Sequence, residues 1–170
     1  CSSDLFYDSV KMRASGIDNA QGKQKIVVEL YDKFFRNAFP KMTERLGIVY
    51  TPVEVVDFII HSVNDVLKSE FGETLGSDGV HIIDPFSGTG TFITRLLQSG
   101  LMTPDEIKKK YGSQLHANEI VLLAYYIAAI NIESTYHGTV GGDYVPFEGI
   151  CLTDTFQMYE KEDLVDHMTV

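Results

Sequence analysis

Residues 80–92, Val-His-Ile-Ile-Asp-Pro-Phe-Ser-Gly-Thr-Gly-Thr-Phe, constrain this chain more than any other stretch. Val80, Ile82 and Ile83 are apolar and β-branched, the make-up of a buried strand. The strand ends at Asp84, because Pro85 has no amide hydrogen to continue a ladder. Ser87-Gly88-Thr89-Gly90 reads as a tight turn. Apolar residues at 92, 93, 96 and 97 then follow a helical spacing. A strand that feeds a glycine turn and then a helix belongs in a parallel α/β sheet, where ligands bind beyond the carboxyl ends of the strands.

Glycine in such a turn takes positive φ and lets a ligand come close to the backbone. The free amides of the helix start favour an anionic group. The dinucleotide fingerprint is absent, since Ile93 stands where its third glycine would be, and no Gly-Lys-Ser/Thr follows to make a P-loop. A tight turn without any ligand is the alternative reading. The chain has 170 residues, 44% of them hydrophobic, enough for one domain with a sizeable core. Cys1 and Cys151 form no metal or redox spacing and suggest a reducing compartment. No apolar run reaches membrane-spanning length and no signal-peptide pattern is seen, so the expected location is the cytoplasm.

Residues 1–23 read as a loose leader. Residues 23–39 have apolar positions at 26, 27, 30, 31, 34, 35 and 38, an amphipathic helix stopped by Pro40. Its aromatic residues Tyr31, Phe34, Phe35 and Phe39 suit core packing, with a partner interface as the alternative. Thr51-Pro52-Val53-Glu54 predicts a capping box with proline at the first helical position, opening a helix that Gly72 stops. Thr103-Pro104-Asp105-Glu106 predicts a second such cap before a short helix. Lys108, Lys109 and Lys110 end that helix and read as a solvated face.

Residues 114–119 read as a second strand ending in Glu119, followed by an apolar helix over residues 120–132. A carboxylate at that strand end can accept from both hydroxyls of a ribose, or it can simply favour the helix start. Residues 138–149 read as a loop, and residues 149–152 as a third short strand ending near Asp154. Asp143 is the rival acid, in a glycine loop with no strand before it. His116 reads as structural, without companions for a metal site.

Asp84-Pro85-Phe86-Ser87-Gly88-Thr89-Gly90-Thr91-Phe92 resembles the first cofactor motif, Asp-Pro-x-x-Gly-x-Gly-x-Phe, of amino-methylating DNA methyltransferases. Tyr50-Thr51-Pro52 is similar to the segment that precedes that motif in the adenine-N6 group, the N-6 DNA methylases. The resemblance covers residues 46–156. It implies a Rossmann-like S-adenosylmethionine-dependent methyltransferase fold, present in part: three parallel strands with flanking helices, plus an N-terminal helical extension. It divides the chain at 1–45 (leader and amphipathic helix) and 46–170 (partial cofactor domain). It implies that Thr51, Asp84, Phe86, Gly88 and Gly90 hold the methionine end of the cofactor, Glu119 the ribose and Asp154 the adenine amino group. Phe156 would pack on the adenine or in the core.

The catalytic Asn/Asp-Pro-Pro-aromatic motif of that family is missing, because no Pro-Pro occurs in the chain. No catalytic or metal-binding residue is therefore assigned, and the chain reads as part of a longer protein. The helical lead-in looks most like the methylase region of restriction-modification proteins, including helicase–methylase fusions. Net charge is −10; residues 1–50 carry +2 and residues 51–170 carry −12. So acidic a surface repels phosphates, so DNA would be met through regions outside this chain. With a fourth strand absent, the edge of the first strand would be open and apolar, and self-association there is expected. A methyltransferase for another substrate and a non-catalytic assembly module are the competing functions.

Overall fold

The computed structural model describes residues 51–157. The leader and the amphipathic helix expected before residue 46 lie outside the described residues.

Helix α1 (Val53–Val66) buries Val56, Ile60 and Asn64, a stripe with a spacing of four. It continues as a π-helical turn, Leu67–Phe71, and ends at Gly72, whose φ is 68°. The capping box expected at its start does not form. Pro52 has ψ 141° and is itself the cap, with no side-chain bond; its carbonyl accepts from the amides of Val55 and Val56 at 3.0 and 3.1 Å. The extended proline delays the helix by one residue. Thr51 is thus one position too far out for its hydroxyl to reach the third amide.

The strands β1 (Ile82–Asp84), β2 (Leu115–Glu119) and β3 (Ile150–Leu152) form a parallel sheet in the order β1-β2-β3. Ile82 lies beside Leu115, and Ala117 beside Ile150. Between the strands run α2 (Thr91–Gln98), α3 (Pro104–Lys109) and α4 (Leu122–Val140). Leu115, Ala117 and Ile150 meet Ile93 and Leu97 of α2 and Ala128 and Ile132 of α4 in one core. This is the partial Rossmann-like methyltransferase fold that the sequence motifs imply.

The second capping box is present: Glu106 N donates to Thr103 Oγ1, and Thr103 N donates to Glu106 Oε2 at 2.6 Å. Other boundaries differ for identifiable reasons. Val80 is not in β1, because its amide closes a turn on Ser77 O and its carbonyl accepts from Lys110 Nζ at 2.5 Å. Lys110 is therefore no solvated residue. It is fully buried, and its ammonium also donates to Ser77 O and Gln114 Oε1. Burial lowers its pKa. Helix α4 runs through Gly138, where a loop was expected. An interior glycine costs about 1 kcal/mol, offset here by Tyr136, whose ring stacks on Tyr111 at 3.7 Å.

The other face of the sheet carries Ile83, His116, Asn118 and Cys151 by register. Ile83 is 59% exposed and Cys151 is exposed. His116 stacks on His81 with ring nitrogens 3.0 Å apart. Among the described residues β1 pairs only with β2. Its open edge forms, with α1 and α2, an apolar groove of about 340 Å³ lined by Ile59, Val63, Ile82, Ile83 and Phe92. No helix among the described residues is long and apolar enough to cross a membrane.

Candidate cofactor site

The carboxyl ends of all three strands converge on the glycine loop. Gly90 N donates to Ser87 O at 2.8 Å, closing a four-residue turn. Gly88 has φ 55° and Thr89 has negative φ, so glycine at 88 satisfies the first central position of a II′ turn. The two glycines serve different ends. A Cβ on Gly88 would meet nothing within 4 Å, so that side of the loop is open to a ligand. A Cβ on Gly90 would stand 3.2 Å from Ile132 Cγ1 and 3.3 Å from Ala128 Cα, so Gly90 admits α4 rather than a ligand.

Glu119 ends β2 and is 8% exposed. Its Oε2 accepts from Gly88 N and its Oε1 from Val121 N, both at 2.7 Å. One carboxylate thus joins the glycine loop to the approach of α4. Each oxygen keeps a further lone pair for an incoming hydroxyl.

Asp84 ends β1. Its Oδ1 accepts from Phe86 N at 3.2 Å. Its Oδ2 is buried and, among the described residues, is the side-chain polar atom left without a partner. Burial raises the Asp84 pKa; the Phe86 amide opposes this, and the Glu119 charge adds to it. A buried acceptor with no donor is costly, and such an atom calls for a ligand that donates.

Beyond β3, Asp154 Oδ1 accepts from Phe156 N at 3.0 Å, leaving Oδ2 available. Thr153 N donates to Glu119 O, and Thr155 Oγ1 donates to Pro85 O at 2.7 Å, so the end of β3 is fastened to the ends of both other strands. Phe156 is 83% exposed, which removes the core-packing reading. Its ring stacks on Phe86 at 5.3 Å, an aromatic surface beside the loop. Asp143 precedes β3 and is exposed, at the opposite end of that strand.

Six of the seven residues predicted from sequence, Asp84, Phe86, Gly88, Gly90, Glu119 and Asp154, therefore gather at the strand ends. Among the described residues no hydrogen bond joins Thr51 to them. It is linked through α1, where Asp57 forms a two-pronged pair with Arg95 of α2: Nε to Oδ1 at 2.8 Å and the terminal nitrogen to Oδ2 at 2.7 Å. Ser87, Asn131 and Thr155 also shape the loop and were missed. Asn131 carried a signal, a lone amide in an otherwise apolar helical run. Among the described residues no group of three or more His, Cys, Asp or Glu is placed to hold a metal.

A glycine turn after β1, an acid at the end of β2 and an acid after β3 stand on the parallel sheet of a partial Rossmann-like methyltransferase fold. The chain belongs to the N-6 DNA Methylase family, which it matches over residues 22–166. Its structure is similar to that of the ATP-dependent Type ISP restriction-modification enzyme LlaBIII bound to DNA, with 60% identity and a TM-score of 0.78; the match covers 93% of this chain and 11% of that one. A nuclease-deletion mutant of the Type ISP restriction-modification enzyme LlaGI, in complex with a DNA substrate mimic, shares 56% identity over 94% of this chain and 13% of that chain, with a TM-score of 0.78. A cryoEM structure of a DrdV–DNA complex gives 40% identity and a TM-score of 0.84 over 91% of this chain and 15% of that chain. The chain thus spans 11–15% of the length of these solved relatives. No curated protein matches.

Proposed function

We propose that this chain is the S-adenosylmethionine-binding part of a DNA methyltransferase that methylates the N6 amino group of adenine in a restriction-modification system. The observation that carries the proposal is Asp84 Oδ2, a buried acceptor without a donor at the end of the strand that leads into the glycine loop. The ammonium of the methionine end would satisfy it with a charge-assisted bond. Neither a flat turn nor an assembly surface has use for such an atom.

The other residues fit the remaining parts of the cofactor. The open side of Gly88 admits the methionine backbone, and the start of α1 beside Thr51 offers amides to its carboxylate. Glu119 accepts from the ribose hydroxyls with the lone pairs that Gly88 and Val121 leave free. Asp154 Oδ2 accepts from the adenine amino group, and Phe86 with Phe156 supplies a ring to stack on. When bound, S-adenosylmethionine supplies an electrophilic methyl group; this chain's residues bind and orient it. The groups that grip a flipped adenine lie elsewhere in the polypeptide.

DNA is met through regions outside this chain, given the charge of −12 on residues 51–170. The DNA-bound state of the solved relatives supports that substrate. The ATP dependence of LlaBIII supports a motor in the same polypeptide, and a DNA substrate supports a cytoplasmic location. We also propose that the open β1 edge self-associates when the chain is isolated.

The test is methyl transfer by the full polypeptide from labelled S-adenosylmethionine to adenine-containing duplex DNA, read as N6-methyladenine in digested nucleosides. Label appearing only in RNA or protein would establish a methyltransferase for another substrate. No transfer and no cofactor binding would overturn the reading.

A further inference from the structure

Asn131 lies one turn after Ala128 on α4 and is 4% exposed. Its side-chain nitrogen donates to the carbonyl of Thr89 at 3.0 Å, across 42 residues of sequence. Thr89 is the second central residue of the glycine turn and is itself buried. Every residue of the turn is then held by one of two elements, β2 or α4. Ser87 N and Oγ donate to Asn118 O of β2. Gly88 N donates to Glu119. Thr89 O accepts from Asn131, and Gly90 rests on Ala128 and Ile132 of α4.

The peptide between Thr89 and Gly90 is held at both of its polar atoms, the carbonyl by Asn131 and the amide by Ser87 O. Gly90 has φ 79° and tolerates either sign of φ, so once the Asn131 bond is lost it is the Gly90 N–Ser87 O bond that resists rotation of this peptide. Without a donor inside the core, the Thr89 carbonyl would seek water on the open side of the loop. There it would meet the ligand side of Gly88, which has nothing within 4 Å. An inward carbonyl keeps an acceptor out of that open side, where it would repel an anionic ligand end.

We propose that Asn131 is a positioning residue for the cofactor site: it holds the Thr89 carbonyl inward so that the loop presents an unobstructed face to the ligand. The inference rests on the reading of this loop as the S-adenosylmethionine site. It adds a residue that no motif of the loop or the strand ends contains.

The test uses the full polypeptide carrying Asn131→Asp, which keeps shape but has no donor at neutral pH. Asn131→Ala is the second variant. Tyr111→Phe is the comparator: it loses the bond from its hydroxyl to Val145 O, 2.9 Å long, at the far end of α4. The expected result is a rise of tenfold or more in KM for S-adenosylmethionine with kcat nearly unchanged, in both Asn131 variants. Tyr111→Phe should leave KM alone while lowering the melting temperature. Faster amide hydrogen exchange across residues 86–92, without change in the second half of α4, is the matching physical signature. Unchanged KM and unchanged exchange at 86–92 would overturn the proposal, as would an equal rise in KM for Tyr111→Phe. If Asn131→Asp fails to fold, Asn131→Ala decides by the same readouts. Should the unaltered protein bind no S-adenosylmethionine, the functional reading falls instead, and the exchange measurement still reports whether Asn131 holds the loop.

Discussion

Asp84 and Glu119 stand at neighbouring strand ends, and each carries the site in a different way. Glu119 saturates two amides, from Gly88 and Val121, before any ligand arrives. Glu119→Ala removes both and any bond to the ribose, so cofactor affinity should fall roughly ten- to a hundredfold, at about 1.5–3 kcal/mol for bonds to a charged group. Calorimetric titration reads this directly. Asp84 works against the empty fold: its pKa is raised above the ordinary carboxylate value of 3.8, chiefly by burial. The folded state then holds its proton more tightly than the unfolded chain. Its contribution to stability is present in full below the unfolded pKa and is lost as pH rises through the folded pKa. Asp84→Asn should therefore raise the melting temperature of the empty protein at neutral pH while weakening S-adenosylmethionine binding. Binding to the unaltered protein should weaken as pH falls through the raised pKa, because the ammonium needs the ionised acid. Affinity that stays unchanged as pH falls through that pKa would contradict this assignment.

Helix α1 brings Thr51 toward the site only through its packing on α2, fixed by Asp57 and Arg95. The Arg95 guanidinium beside Asp57 lowers that carboxyl's pKa. Both side chains are partly exposed, at 36% and 29%, so a double-mutant cycle should give a coupling of about 1 kcal/mol or less, shrinking in salt. Lys110 is a stronger fastening. Lys110→Met would leave the carbonyls of Ser77 and Val80 and the Gln114 amide oxygen without their donor, and should cost about 2 kcal/mol or more in urea unfolding. These two contacts mark the limit of what the sequence discloses. The strand–turn–helix at residues 80–92, the cap at Thr103 and the acids at strand ends are local patterns, set by neighbours a few residues apart. Lys110 reaches back 30 residues to Val80 and Asn131 reaches 42 to Thr89; nothing in a local window distinguishes such a lysine from a solvated one. The cap at Thr51 failed because a single ψ at Pro52 shifted the helix start, a choice the residue types leave open. The extent of α4 was misread for a related reason, since tertiary stacking of Tyr136 on Tyr111 outweighs the glycine at 138.

At the scale of the whole molecule, the core of the described residues lies on one side of the sheet. The described helices pack against the face of Leu115, Ala117 and Ile150, while Ile83 on the opposite face is 59% exposed, beside an edge that is unpaired among the described residues. A chain produced by itself should self-associate, and Ile83→Lys should reduce that association in analytical ultracentrifugation; a monodisperse monomer with the edge bare would count against the proposed pairing. The central claim is that the converged strand ends bind S-adenosylmethionine. The most direct measurement is calorimetric titration of the full polypeptide with S-adenosylmethionine, beside Glu119→Ala and Asp154→Ala and with NAD as the control ligand. We expect saturable binding of S-adenosylmethionine and none of NAD, with both substitutions weakening it by about tenfold or more. Absence of binding by the folded polypeptide, or binding that neither substitution alters, would contradict the assignment of this site.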